Sequence, residues 1–220
     1  MVKYANLQGA TQDHHLSTSD IVRRTVELDE EFLSLTMNMP SSWLYNTTYL
    51  QEASERVFEY HFDTNQDHFT AQTWNVIRIM RILLNGIISS PCVAGRSGSC
   101  KETFNSYHQH IATNTIDAMA REICATAPQY TGYEVHTRKN KKYSATQRLG
   151  CYTLLFPLYV AGLHASHTTR IRPWIIKQLR FMCTEIGIRN AGVVANILER
   201  ADETDPWSVY AMLGSYALAA

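Results

Sequence analysis

An apolar stripe with helical spacing constrains the fold of this chain more than any other sequence feature. The stripe is clearest before Pro91, where large apolar side chains recur mostly three or four residues apart: Trp74, Ile77, Met80, Leu84, Ile87 and Ile88. The polar side chains of that segment fall mostly on the other faces: Asn75, Arg78, Arg81 and Asn85. No segment shows the alternation of a strand or an Asn-Gly hairpin signal. The sequence predicts an all-α fold, an irregular bundle of about six to eight helices.

Prolines mark the ends of the predicted helices in the first half of the chain. The expected helices are 20–39 before Pro40, 63–90 before Pro91 and 99–127 before Pro128. Residues 40–62 mix aromatic and polar side chains, and their pattern fits either a short helix or an irregular loop.

Capping residues mark the helices of the second half. We expect a helix from about Thr146 kinked by Pro157, one opening at Pro173, and a short one over 191–200. Gly187 followed by Ile188 predicts a left-handed helix end, and Asp205 predicts the N-cap of a last helix. Residues 149–169 contain no Asp, Glu, Lys or Arg, as in a membrane span. The proline, glycines and histidines among them favour a buried core helix.

The predicted domain organisation is simple. We expect residues 1–19 to be poorly ordered and residues 20–220 to form one helical domain. The chain ends in an apolar helix without a polar cap, which suggests a truncated piece of a longer protein. Such a piece would expose a large apolar face, and would then oligomerise or bind a hydrophobic dye.

Charge and cysteine usage narrow the functional classes. Twenty Lys and Arg balance twenty Asp and Glu, so no global field attracts a polyanion. The five cysteines are odd in number and widely spaced, which indicates buried free thiols in a reducing compartment. The polar N-terminus does not resemble a signal peptide. We expect no membrane partner and no direct contact with nucleic acid.

Two motifs that suggest ligand binding lack required residues. The glycine loop 95–99 precedes Lys101, but a phosphate-binding loop needs Gly before the Lys and Ser or Thr after it. The nine histidines include His108 with His110 and His164 with His167, and no Cys or carboxylate at ligand spacing completes a metal set. We therefore predict no metal ligands and no cofactor.

One pair of carboxylates keeps an enzymatic alternative open. Asp63 and Asp67 at a helix start are similar to the aspartate-rich motif of helical terpene synthases. A diphosphate-binding magnesium site needs carboxylates from two helices, and no second motif is present. Interaction with the helix dipole explains the pair without catalysis. We expect no catalytic residues and no enzyme, and keep a helical lyase as the alternative.

A basic run in the loop 129–145 has two interpretations. It is either a solvated loop or a nuclear-import or acidic-partner patch formed by Arg138, Lys139, Lys141 and Lys142. The second interpretation predicts a nuclear protein, and the first leaves the cytoplasm as the alternative.

The C-terminal third resembles a known family. Four stretches carry the resemblance in order and spacing: 157–162, 173–181, 187–191 and 205–216. Two upstream stretches fit as well: 28–32 leading to Pro40 and Trp43, and 74–78 leading to 81–85. Together they resemble the C-terminal end of fungal binuclear zinc-cluster transcription factors, over roughly residues 21–220.

This resemblance implies an all-helical regulatory region, which in the family usually follows a six-cysteine zinc cluster that binds DNA. The cluster, its basic linker and the earlier part of the helical region are missing from this sequence. The expected function is therefore transcriptional regulation through protein contacts or self-association, without DNA-contacting residues of its own. A generic helical interaction module is a further alternative.

Overall fold

The computed structural model describes residues 2–12, 16–90, 102–133, 143–200 and 205–217. Helices come first, in chain order: α1 (Val2–Gln12), α2 (Thr18–Met37), α3 (His68–Ser89), α4 (Glu102–Thr131), α5 (Ala145–Thr153), α6 (Leu155–His164), α7 (Ile171–Phe181), α8 (Arg189–Arg200) and α9 (Pro206–Ala217). The strands are β1 (Asn46–Tyr49) and β2 (His61–Thr64). The all-α prediction is confirmed, and the one departure from it among the described residues is this two-stranded hairpin.

An antiparallel pair of helices, α3 and α4, forms the centre of the bundle. Hydrogen bonds fix the direction of the pair, because Asn75 contacts Thr126 while Arg78, one turn later, contacts Glu122. Helix α6 packs against both, and its Leu158 and Tyr159 have no exposed surface. Helices α7 and α8 pack on α6, whereas α2 packs on α3 and α1 on α2.

The middle of the apolar segment 149–169 forms a buried core helix, as the sequence predicts, whereas Leu149 and His167 near its ends are exposed. Helix α6 is nearly fully buried, and its interior packing accounts for the missing charges. No helix in the described part of the chain is long and apolar enough to span a bilayer.

The N-terminal segment differs from the prediction that residues 1–19 are poorly ordered, because α1 occupies residues 2–12. Its Tyr4 and Leu7 are one turn apart and buried, and the Tyr4 ring lies 6.2 Å from that of Trp207. Lys3 also pairs with Glu31 of α2 at 2.7 Å. These distant contacts stabilise a helix whose own amphipathic pattern is weak.

The hairpin was missed by the sequence analysis, which found no strand. Strands β1 and β2 pair antiparallel, with Asn46 opposite Thr64 and Tyr49 opposite His61. Every side chain of β1 is exposed, so the strand lacks the apolar alternation that predicts one. Its position depends instead on β2, which packs against α4 and places Phe62 in contact with Tyr133.

Two of the proline predictions need correction. Helix α4 continues through Pro128 to Thr131, beyond the predicted end at residue 127. Tyr130 and Thr131 are buried, and Gln129 exchanges hydrogen bonds with the backbone of Asn65, so tertiary contacts outweigh the lost proline N–H. Helix α7 begins at Ile171 rather than at Pro173, which lies within its first turn. The predicted interruption near Pro157 is confirmed and falls at Leu154.

The predicted caps are confirmed. Gly187 has φ of +85° and ends the helical turn Met182–Ile186 that follows α7. The N–H of Ile188 donates to the Met182 carbonyl and closes this helix end. Asp205 accepts from the Ser208 N–H at the start of α9. Cys124, Cys151 and Cys183 are free thiols, as expected for the described cysteines. The glycine loop 95–99 lies outside the described residues.

Candidate functional site

A groove of about 340 Å³ lies between α2, α3 and α4 beside the start of the hairpin. Its lining combines apolar side chains with paired charges: Leu33, Thr36, Met37, Tyr45, Trp74, Ile77, Arg78, Arg81, Met119 and Glu122. Met37 is 74% exposed at the last position of α2, which makes it an accessible apolar group at the rim.

Arg78 forms the polar floor of the groove and is only 1% exposed. Its Nε donates to Oε2 of Glu122 at 2.9 Å, and its Nη1 donates to Oδ1 of Asn75 at 3.1 Å. Its Nη2 lies 3.9 Å from Oδ2 of Asp63. Since a buried guanidinium is costly unless it is paired, these contacts are what allow a cation in the core.

Two aromatic rings cover Arg78. The Tyr45 and Trp74 rings meet edge to face, with centroids 5.4 Å apart and planes at 87°. The Arg78 guanidinium carbon lies 5.2 Å from the Tyr45 centroid and 5.7 Å from the Trp74 centroid. Burial raises the pKa of Tyr45, so its phenol stays neutral. The rings therefore present an apolar surface backed by a cation.

Long-range hydrogen bonds fix the walls of the groove. Arg81 on α3 binds Asp29 on α2 through Nε and Nη2, at 2.9 and 3.0 Å. The Trp74 indole N–H donates to the Trp43 carbonyl at 2.8 Å. Helix α2 and the 3₁₀ turn Ser41–Trp43 are thus held against the same face of α3, and the groove is preformed.

The charges around the groove leave a small acidic surplus. The described lining holds two cations, Arg78 and Arg81, and one carboxylate, Glu122. Asp29 and Asp63 pair with the arginines from outside the lining, so the whole set of two cations and three carboxylates carries one net negative charge. The Glu122 side chain is 38% exposed and is the most accessible of these groups. The described residues of the lining include no Ser, Cys or His nucleophile. Its chemistry suits binding of an apolar side chain that has a cation beside it.

The sequence pattern predicts that Asn75, Arg78 and Asn85 lie mostly outside the apolar face of α3, and the structure corrects this. All three are buried, because α2, α4 and α6 surround the helix. Arginines and asparagines at helical spacing inside a strongly apolar segment are the signal that could have revealed the buried network.

The residues of the enzymatic alternative do not form an open acidic site. Asp63 is 3% exposed in β2 and accepts from the Thr47 hydroxyl at 2.7 Å. Asp67 caps α3 by accepting from the Thr70 N–H at 2.7 Å, which lowers the pKa of its carboxyl. Within the described ranges, no three His, Cys, Asp or Glu side chains are grouped to hold a metal ion.

The basic residues and the two histidine pairs noted in the sequence are the remaining candidates. Arg138, Lys139, Lys141 and Lys142 lie outside the described residues. His164 and His167 both line a second cavity, at the end of α6. His108 and His110 lie on α4 and do not contribute to either cavity.

Comparison with known proteins gives no relative from which a function could be transferred. No protein-family model, curated protein or solved structure matches this chain.

Proposed function

We propose that this chain is a transcription-regulatory helical domain that acts by docking a partner protein in the groove formed by α2, α3 and α4. The basic residues 138–142 support a nuclear location. The sequence resemblance supports a role in transcriptional regulation. The groove supports direct contact with a partner protein.

The observation that carries this proposal is the convergence of two upstream stretches that resemble the family. One stretch contributes Asp29 and Trp43, and the other contributes Trp74, Arg78 and Arg81. They meet through the Arg81–Asp29 pair and through the hydrogen bond from Trp74 to Trp43. Residues separated by up to 52 positions thus hold the walls of one groove together.

The shape and charge of the groove define the partner. A volume of about 340 Å³ holds one or two large side chains and is too small for a whole helix. The methionines Met37 and Met119 adapt to side chains of different shape. The acidic surplus near Glu122 favours a lysine or arginine next to the inserted group. The occupant is therefore a partner segment with an apolar anchor and an adjacent basic residue.

A tethering experiment tests the proposal in cells. The chain is fused to an unrelated DNA-binding module with its own nuclear signal, and transcription from a matching reporter is measured in a fungal host. We expect reporter output to differ from that of the DNA-binding module alone. An unchanged output would contradict a role in transcription and favour a generic interaction module.

Groove variants then test the site. Met37→Asp puts a carboxylate at the exposed rim, and Glu122→Gln removes the surplus charge but keeps an acceptor for Arg78. A mispaired charge in a docking site costs on the order of 2 kcal/mol. The affinity for the partner should therefore fall about tenfold or more. Leu149→Asp on α5 is the matched control, since Leu149 is 66% exposed and outside the groove.

The variants separate binding from folding. We expect Met37→Asp and Glu122→Gln to abolish the reporter effect while circular dichroism shows an unchanged helical content. Leu149→Asp should keep the effect. An equal loss in the groove variants and in the control would rule out the groove as the docking site.

A further inference from the structure

A second cavity, of about 790 Å³, lies where the ends of α3 and α6 meet the middle of α4 and the start of α9. It is separate from the groove, since the two share no lining residue. Hydroxyl groups and imidazoles dominate its polar lining, and Ile116, Leu163 and Pro206 supply apolar surface. Its size falls in the range of small-molecule sites.

Two of the lining residues hold buried polar atoms that have no hydrogen-bond partner. These atoms are Nε2 of His164 and Oγ of Ser89. Buried polar groups in folded proteins are nearly always paired, because an unpaired one has lost its water without compensation. Both atoms therefore have unused hydrogen-bonding capacity in residues that line the same cavity.

The surrounding structure holds the His164 ring in place. Gly86 on α3 leaves room for it, since a Cβ there would lie 3.2 Å from Nδ1 and 3.3 Å from Cε1 of His164. Burial lowers the pKa of His164 to about 4, so the imidazole is neutral at physiological pH. A neutral imidazole offers one donor and one acceptor nitrogen.

Hydrogen bonds also order the loop after α6 and the start of α9. Asp117 on α4 accepts from the Ser166 N–H at 2.8 Å, and the Ser166 and Thr168 hydroxyls lie 2.9 Å apart. Asp205 is bound to the first turn of α9, where it accepts from the Ser208 N–H at 3.0 Å. The loop after α6 is thus preformed.

The charge balance of the lining selects the class of ligand. No Lys or Arg is among the described residues that line the cavity, so none of these residues compensates a phosphate or a carboxylate. The carboxylate of Asp205 is already paired with the positive end of a helix. The hydroxyls and the neutral imidazole can both donate and accept. An uncharged ligand with a donor, an acceptor and an apolar body fits this environment.

We propose that this cavity is a binding site for an uncharged, partly apolar small molecule that hydrogen-bonds to His164 and Ser89. The site is independent of the docking groove and of the proposed regulatory function.

Three isosteric probes test the inference on the full chain. Benzamide, benzoate and benzamidinium share a ring and a planar head group, and differ in charge: neutral, negative and positive. Each is titrated while the ring signals of His164 are followed by nuclear magnetic resonance. We expect saturable shifts with benzamide and affinities at least about tenfold weaker for both ions.

Matched variants locate the probe. Thr113 is exposed on α4 and lines the cavity, so Thr113→Trp fills the space without disturbing the core. The adjacent Asn114 is exposed and does not line the cavity, which makes Asn114→Trp the control. We expect the first variant to weaken benzamide binding about tenfold and the second to leave it unchanged.

Other outcomes would overturn the site. An absence of saturable shifts with benzamide would mean that the cavity holds only water. Tighter binding of either ion would refute the uncharged class of ligand. Equal effects of Thr113→Trp and Asn114→Trp, or unchanged affinity in Ser89→Ala, would place the probe elsewhere.

Discussion

Arg81 binds Asp29 through two parallel hydrogen bonds, from Nε to Oδ1 at 2.9 Å and from Nη2 to Oδ2 at 3.0 Å. The pair joins α3 to α2 across 52 residues, and its side chains are only 12% and 17% exposed. Paired carboxylate and guanidinium groups in this bidentate geometry are among the stronger charge contacts of proteins. The pair therefore holds α2 against α3 beside the groove on which the proposed function depends.

A double-mutant cycle on Asp29→Ala and Arg81→Ala should give a coupling free energy of about 1 to 2 kcal/mol in urea unfolding. The Lys3–Glu31 pair is the control, because its side chains are 69% and 56% exposed. Exposed pairs contribute about 0 to 1 kcal/mol. Equal coupling in the two cycles would show that burial does not strengthen the Asp29–Arg81 contact.

Arg78→Met should lower the free energy of unfolding by about 3 to 5 kcal/mol, because it leaves Asp63 buried without its cation. Adding Asp63→Asn and Glu122→Gln to that variant should recover much of the loss, since the uncompensated charges are then removed. Arg78→Lys should recover little, because one ammonium cannot reproduce the directed contacts of Nε and Nη1. Urea unfolding of the four proteins measures these differences. A neutral Arg78→Met would mean that the buried network contributes little to stability.

His164 should make stability depend on pH. Burial lowers the pKa of His164 from 6.5 to about 4, so the unfolded chain binds its proton at a higher pH than the folded chain does. The contribution is complete above pH 6.5 and is lost as the pH falls toward 4. The difference between the two pKa values corresponds to about 3 to 4 kcal/mol at most.

The variant His164→Gln isolates this effect. The neighbouring carboxylates Asp117 and Asp205 are present in both proteins, so their titration largely cancels in the difference. Denaturant unfolding at about pH 7.5 and about pH 4.5 should show a smaller loss of stability for the variant. Identical losses would indicate that His164 titrates as an ordinary exposed histidine.

Elements with local signals were predictable from the sequence. The stripe from Trp74 to Ile88 predicts α3. Its capping residues, Asp67 and Ser90, lie within a few residues of the predicted ends. The left-handed Gly187 and the N-cap Asp205 were predicted for the same reason. Capping and helical spacing involve residues within one or two turns, so the sequence carries them directly.

The candidate sites were not predictable in this way. Arg78 contacts residues on β2 and α4, and Ser89 and His164 come together only because α3 and α6 pack side by side. A helical pattern reports which face of one helix is apolar. It does not report which helices surround it, and the polar residues of α3 were therefore placed outside the core.

The sequence by itself determined the helical class of this protein, most of its helix boundaries and the free state of the described cysteines. The tertiary structure decided the rest: helix α1, the hairpin, the passage of α4 through Pro128, and the positions of the groove and the cavity. The physical reason is the range of the interactions. Helix propensity and capping act between near neighbours in the chain, whereas strand pairing, buried ion pairs and cavities depend on residues that meet only after the helices have packed.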